Sequence, residues 1–578
     1  MRRGARALGL ALALLLVAGR APVRASPGPD AVTLEPWGNA QTQEVLRHPD
    51  VDEWHFVQQR NTVRLGARGR LDVLTDAAWL PRLDDASFTL LYRGVYDAIY
   101  DVAPTLRERD LRGRKPGRAA ARDLHDLPRR ARDALRFESD LRAAFVDLRA
   151  RRLRLRLGKQ QLAWGEADFL RMLDRANPLD TSWHSVEELP PPSFGWDDLR
   201  IPLWMADADL ALGDAGRLRD LHLEAYWNPG DWRPMKVGYL PRPWGVRLLD
   251  PLTNREDGAF VAPFAGVERL DHSSLFRQGH YRRTPAENSQ VGVRLAATLP
   301  HEVRAGVYWF RQRWAGDDGT PVAILRGIPD TPAGRQRTNE LLSRGTLPVS
   351  YIAPFIQTVG MSSSAFFPPL AATVRLETVY DFALPMLDRS ATTTLAPFVP
   401  GLTHRDYWKG VLAFDRPFTI DALNPGGAVF VTAQAFVHHL MHDSDTLAGP
   451  LDLPTAGARG RPYCGSPPDR PCPDPNGNGS FRDDVRSWEA LLTVAAFSSY
   501  AAGRLQPVAG VVLDPVNSWS LNAFWSLCWV AGPRVSVDLT QRYFATAQRD
   551  VQKGPFDPWM IGTMRGRSET GLRVTYAF

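Results

Sequence analysis

Once its first 25 residues are set aside, this chain of 578 residues contains no apolar run long enough to cross a bilayer as a helix. Such a helix needs ~20 consecutive apolar residues. Cysteine is rare, with 3 in the whole chain, which excludes a disulfide-dense scaffold. Lysine is scarce beside arginine, no internal repeat recurs at a solenoid period, and no linker divides the chain into domains. A surplus of charge is missing as well. The formal net charge is +6, but Arg2, Arg3, Arg6, Arg20 and Arg24 all fall in the first 25 residues, which hold no acid. The remainder carries 65 basic against 64 acidic residues, so the charge gives no support to a nucleic-acid partner.

The opening segment reads as an export signal. Three arginines precede an apolar stretch from Ala7 to Gly19, and Val23-Arg24-Ala25 supplies small residues two apart, fitting cleavage after Ala25. The expected organisation is a signal peptide at 1–25, an N-terminal periplasmic or luminal segment at 26–54, and one large unit at 55–578. Cys464 and Cys472 flank a proline-rich loop and form a candidate local disulfide in an oxidising compartment. Cys528 stands alone in a strand-like segment.

What the sequence has in abundance is period-2 alternation, which places successive side chains on opposite faces of a strand. Trp519, Leu521, Ala523, Trp525, Leu527 and Trp529 alternate with Ser518, Ser520, Asn522, Ser526 and Cys528. Leu153, Leu155 and Leu157 alternate with Arg152, Arg154 and Arg156. Trp204, Ala206 and Ala208 alternate with Met205, Asp207 and Asp209, and Leu221, Leu223 and Ala225 with Asp220, His222 and Glu224. Each such segment has one oily and one wet face.

A soluble sandwich would alternate too, so length and rhythm discriminate. Seventeen candidate strands run between 55 and 578, most of them about ten to thirteen residues, longer than the usual ~5–6. Tight turns such as Leu299-Pro300-His301-Glu302, Pro368-Pro369 and Ala501-Ala502-Gly503 alternate with long irregular stretches at 163–202, 229–287, 315–350 and 442–485. Outer-membrane barrels have that asymmetry, and bacterial single-chain barrels have even strand counts. The fold class expected is therefore all-β: a transmembrane, antiparallel, up-and-down barrel of 16 or 18 strands, with the discrepancy lying near the N-terminus. Leu572, Val574, Tyr576 and Phe578 alternate to the last residue, and Tyr576 with Phe578 resembles the terminal signal read by barrel assembly machinery. The expected location is the cell outer membrane, with membrane lipid and lipopolysaccharide as surroundings and the assembly machinery as partner.

Inward polar residues are the candidates for function. Arg152, Arg154 and Arg156 make a basic ladder, and Asp207, Asp209, Asp220 and Glu224 an acidic one. Facing one lumen, they either set a transverse field across a pore or pair with one another and stiffen the interior. Between them, residues 166–176 have helical composition and an Asn-Pro stop. A short helix here either folds into the pore, with Glu166, Asp168 and Asp174 facing the arginines, or packs on the rim. Aromatic residues placed inward are Tyr226, Tyr308, Phe310, Phe430, Phe436 and Phe524. His438, His439 and His442 are a weak metal candidate, because alternation splits the first two across faces. Asp474 to Gly479 resembles a calcium loop but lacks the later bidentate glutamate. The sequence points to no catalytic residue, no metal and no cofactor.

Gly158-Lys159-Gln160-Gln161-Leu162-Ala163-Trp164-Gly165-Glu166, the following Asn177-Pro178-Leu179-Asp180, and Asp198-Leu199-Arg200-Ile201-Pro202-Leu203-Trp204 carry a resemblance. So do Gly410 to Pro417 and Leu423-Asn424-Pro425. They are similar to the proteobacterial outer-membrane family catalogued as domain of unknown function 1302. The resemblance implies a single-chain barrel and assigns neither cargo nor catalytic residues. The function expected is a channel or porin-like transporter for moderately hydrophobic compounds, its small-molecule solute unknown. An outer-membrane lipid hydrolase and an accessory barrel for lipid or efflux traffic are the alternatives.

Overall fold

The structure is a computed structural model. It describes residues 34–48, 54–75, 82–102, 136–168, 170–181, 198–231, 236–237, 288–314, 324–327, 331–343, 349–352, 355–388, 390, 401–442, 446–448, 487–516, 519–546 and 568–578. The segment 1–25 expected to be an export signal, Cys464, Cys472 and the 474–479 loop lie outside these residues.

Eighteen strands make the wall: β1 Leu34–Arg47, β2 His55–Arg70, β3 Asp85–Asp97, β4 Phe137–Ala150, β5 Leu153–Gln160, β6 Leu203–Ala215, β7 Leu218–Asn228, β8 Gln290–Leu299 and β9 Val303–Arg313. The second half continues with β10 Phe355–Phe367, β11 Ala372–Asp388, β12 Gly401–Phe418, β13 Val429–Leu440, β14 Trp488–Ser498, β15 Leu505–Asp514, β16 Ser520–Gly532, β17 Val535–Thr546 and β18 Glu569–Ala577. Each strand pairs antiparallel with its neighbours in the chain. The last returns to the first, with Asn39 opposite Ala577 and Arg47 opposite Glu569, so the sheet closes without an edge. A two-residue strand, Leu447–Ala448, extends the sheet beside the end of β11.

All seventeen expected strands are present, and the additional one is β1. The expected periplasmic or luminal segment 26–54 is corrected at Leu34–Arg47, which belongs to the wall. Its outer positions Ala40, Thr42, Glu44 and Leu46 offer no oily stripe, while Asn39, Gln41 and Gln43 point inward. Alternation of polar with barely apolar residues leaves no hydrophobic signal to read.

The alternation places the faces as the sequence predicts. Leu412 is 54% exposed midway along β12, and Val307, Leu376, Leu492, Trp525 and Leu572 join it on an apolar outer surface. Asn522, Ser526, Asp538 and Arg573 are buried on the inner face. Exposed aromatics collect near strand ends: Trp204, Trp227, Trp488, Trp519 and Tyr543 toward the long connections, Phe367 and Trp529 toward the tight turns. This is the interfacial girdle of a membrane barrel. Tight connections at 151–152, 216–217, 300–302, 368–371, 499–504 and 533–534 share one end, which also holds Leu34 and Phe578.

Closure has a specific fit at that end. Gly38 and Phe578 exchange backbone hydrogen bonds of 3.0 Å each way. A Cβ on Gly38 would stand 2.6 Å from the Phe578 ring, so glycine supplies the ring's seat. At the other end of the seam Arg47 and Glu569 form a buried ion pair of 2.6 Å.

Two outcomes follow from this wall. Phe578→Ala and Gly38→Val, which empty and fill the same seat, should both lower the yield of heat-modifiable barrel in an electrophoretic assay. Parent-like yield in both would refute the fit. Leu412→Arg should cost ~2–4 kcal/mol in reversible unfolding if the position lies near the bilayer midplane.

Candidate functional site

The chain leaves the wall after Gln160 and enters the lumen. Trp164 packs against Phe310 at 5.3 Å, Tyr226 at 5.4 Å and Tyr308 at 5.9 Å between ring centroids. Leu170, Met172 and Leu173 join a buried cluster with Val379, Val411 and Phe436 of the wall. Burying each such side chain stabilises by ~1.5–3 kcal/mol. The lumen on this side is a packed core. Tyr226, Tyr308, Phe310, Phe436 and Phe524 serve that core, whereas Phe430 lies toward the tight-turn end, 45% exposed and stacked on Phe497 at 5.4 Å.

Chain crossing a lumen carries amides and carbonyls that no ladder satisfies, and buried backbone groups need partners. Here β11 supplies them. The Glu166 and Ala167 amides donate to Glu377 Oε2 at 2.6 and 3.3 Å, and the Leu173 amide to Oε1 at 2.6 Å. Gly165 adopts φ +99°, and a Cβ there would meet Glu377 Oε2 at 2.7 Å, so the close approach needs glycine. Arg375 donates to the Glu166 carbonyl and pairs with Asp168 at 2.5 Å. Gln434 also donates to Asp168, at 2.6 Å. Further along β11, buried Asp381 accepts from Arg175 and Thr358 and pairs with Lys409 of β12 at 2.9 Å.

The return is tied as firmly. Asn177 accepts from the Leu162 amide at 2.8 Å and donates to the carbonyls of Gln160 and Ile201 at 3.2 and 3.0 Å. Asp174 pairs with Arg171 at 3.2 Å and Arg200 at 2.5 Å. Residues 161–168 and 170–180 therefore form a bridge from β5 across the lumen to β10–β13, and back.

The bridge is not the helix expected over 166–176. The Leu173 amide, which a helix would bond internally, is taken by Glu377 at 2.6 Å, and the Arg175 amide bonds the Leu173 carbonyl at 2.9 Å, a spacing no helix has. Its acids do not face the arginine ladder either. Asp168 meets Arg375, Asp174 meets Arg200, and Glu166 engages the wall through its backbone. The ladders instead pair with neighbours. Arg154 lies 2.9 Å from Asp207 and 3.8 Å from Glu224, which also binds Arg294 at 2.5 Å. Arg156 pairs with Asp147 at 2.8 Å, and Asp209 stands 3.6 Å from His222. Arg152 reaches the Leu212 carbonyl at 3.4 Å, and exposed Asp220, at φ +50°, donates its own amide to the Asp214 carboxylate at 3.1 Å. His438 faces Glu489 at 3.7 Å inside the wall while His439 stacks on Trp488 at 4.0 Å, so the two histidines do part across the sheet.

Beside this core the lumen keeps a cavity. A cavity of about 580 Å³ is lined by residues of β1–β4 and β16–β18 together with Gln161 and Asp198. Arg64, Arg142 and Arg573 give it charge, Leu91 and Phe145 give it apolar surface, and Cys528 places a thiol on its wall. The Arg573–Asp538 pair measures 3.2 Å. Asp198, 40% exposed, receives Arg64 Nε at 3.2 Å and lies 3.5 Å from Arg93. Burial raises the pKa of this loop carboxyl, but the neighbouring Arg64, Arg93 and Arg142 outweigh it and hold the pKa below the ordinary carboxylate range.

An acid with a depressed native pKa adds stability that is complete above its unfolded value, ~3.9. That increment is lost as pH falls through the native pKa. Acidification should therefore release 198–202 from the wall, and Asp198→Asn should flatten the acid limb of a stability-versus-pH curve. An unchanged limb would show that the cluster contributes nothing to it.

Comparison with known proteins adds the family. No curated protein matches the chain. Among solved structures, OccAB4 of Acinetobacter baumannii is similar at 9% identity, over 95% of this chain and 100% of that one, with a TM-score of 0.39. The outer membrane protein OpdK of Pseudomonas aeruginosa is similar at 10% identity over 94% and 99%, with a TM-score of 0.39. OccK2 (OpdF) of the same organism is similar at 10% identity over 94% and 97%, with a TM-score of 0.40. At such scores the likeness says nothing about cargo. The family described as "Protein of unknown function (DUF1302)" matches residues 59–578, and the chain belongs to it.

Proposed function

We propose that the protein is an outer-membrane channel in which small solutes pass beside the bridge, along the β1–β4 and β16–β18 wall. The observation that carries this reading is the cavity there. Its lining mixes Arg64, Arg142, Arg573, Asp198 and Asp538 with Leu91 and Phe145, beside the packed cluster around the bridge. A mixed lining of this kind suits moderately hydrophobic solutes bearing a polar or charged group, since each part of the solute then has a partner. Ions paired within the wall change the field little when a solute passes, so width and lining chemistry act together as the filter.

Purified barrel in a planar bilayer should conduct. A charged thiol reagent should then lower the current by reacting with Cys528, and Cys528→Ser should abolish that block while Thr575→Cys restores it from the neighbouring wall. Conductance insensitive to reagent at both positions would place the path elsewhere. An esterase assay of the same preparation separates the hydrolase alternative, which requires turnover that the channel reading does not.

A further inference from the structure

We infer that Glu377 is the positioning residue that sets the width of this passage, an assignment that rests on the channel reading above. Glu377 does not touch the cavity; it acts through the bridge. Three charged residues of β11 share one face at 375, 377 and 381, and they meet the bridge in order. Arg375 takes Glu166 and Asp168, Glu377 takes the amides of 166, 167 and 173, and Asp381 takes Arg175. The outer two grip side chains or a single carbonyl. Only Glu377 grips backbone amides at two separated points, so it fixes the course of the chain itself.

The chemistry is specific to a carboxylate. Oε2 serves residues 166–167 and Oε1 serves residue 173, so both oxygens must accept. A glutamine at 377 offers one accepting oxygen and one NH₂ donor. It could hold one point and would confront the other with donor against donor. The isosteric variant should therefore loosen half of the bridge while leaving the packing volume unchanged. Trp164 and Asn177 would still anchor its ends, so the loosened middle moves toward the open side or away from it.

The test compares the parent with Glu377→Gln and Glu377→Ala as full-length barrels. Both variants should retain heat-modifiable migration. Single-channel records should show a rise in conductance on the order of twofold for Glu377→Ala, with switching between levels, as the segment that narrows the lumen is freed. Glu377→Gln should switch between levels with a smaller rise. The rate at which Cys528 reacts with the charged thiol reagent should increase in both. Parent-like conductance, noise and Cys528 rate in the two variants would overturn the assignment. Loss of the folded barrel in Glu377→Gln would also overturn it, because an isosteric change that unfolds the protein marks a structural role. If the parent itself fails to conduct, the channel reading falls, while the Cys528 rate still decides whether Glu377 holds the bridge.

Discussion

A chain that leaves a barrel wall and crosses the lumen must satisfy its amides and carbonyls without a sheet or a helix to do so. In this protein that constraint is met by Glu377, whose carboxylate accepts three amides of the bridge inside a buried site. Bonds to a charged acceptor are worth ~1.5–3 kcal/mol each, more than ordinary ones. Without the carboxylate, the fully buried Leu173 amide would lose its acceptor. The glutamate is therefore what permits irregular chain to occupy the centre of the barrel.

The rest of the lumen is arranged around that fixed chain. A wide barrel of 18 strands ordinarily leaves an aqueous core, so its inner residues are polar. Here the inner faces that meet the bridge carry Tyr226, Phe310, Val379, Val411 and Phe436, and those that do not carry Gln41, Arg64, Arg142 and Arg573. The covered inner surface is thus apolar except where Arg375, Glu377, Asp381 and Gln434 hold the bridge. Gly360 shows how closely the wall is fitted, since a Cβ there would come within about 2.5 Å of the Leu173 side chain.

The fold was legible because most strands bring an oily outer face, and alternation alone reveals one. β1 escaped because its outward residues are Ala40, Thr42, Glu44 and Leu46, which look like a polar loop. The candidate site was legible only in part. The stretch from Gly158 to Asp180 stood out by composition, and its entry into the lumen was one of two open readings. Its partners were invisible, since hydrogen bonds spanning some 210 residues leave no local trace. One signal did exist: Arg375, Glu377 and Asp381 share a face of a strand that also carries Val379. Charges placed among apolar inward positions need buried partners; Arg375 and Asp381 also pair with Asp415 and Lys409 of β12, whereas Glu377 takes its partners from the bridge.

The arginine ladder follows the second of its two readings, pairing within the wall. Arg154 and Arg156 look available in sequence because their strand holds no acid, yet across the sheet each finds one: Asp207 on β6 and Asp147 on β4. Ladder charges on adjacent strands are close enough to pair directly, and pairing is cheaper than leaving either ion to a distant loop. Only residues whose own ring of neighbours is already full, or whose geometry points across the lumen, remain to hold a bridge. By that reasoning the Trp164-Gly165-Glu166 block has a physical meaning for two of its three members. Trp164 fills the aromatic pocket, and Gly165 supplies the positive φ and the space beside Glu377. Glu166 contributes its amide and carbonyl, which any residue would supply, and nothing in the structure explains its side chain.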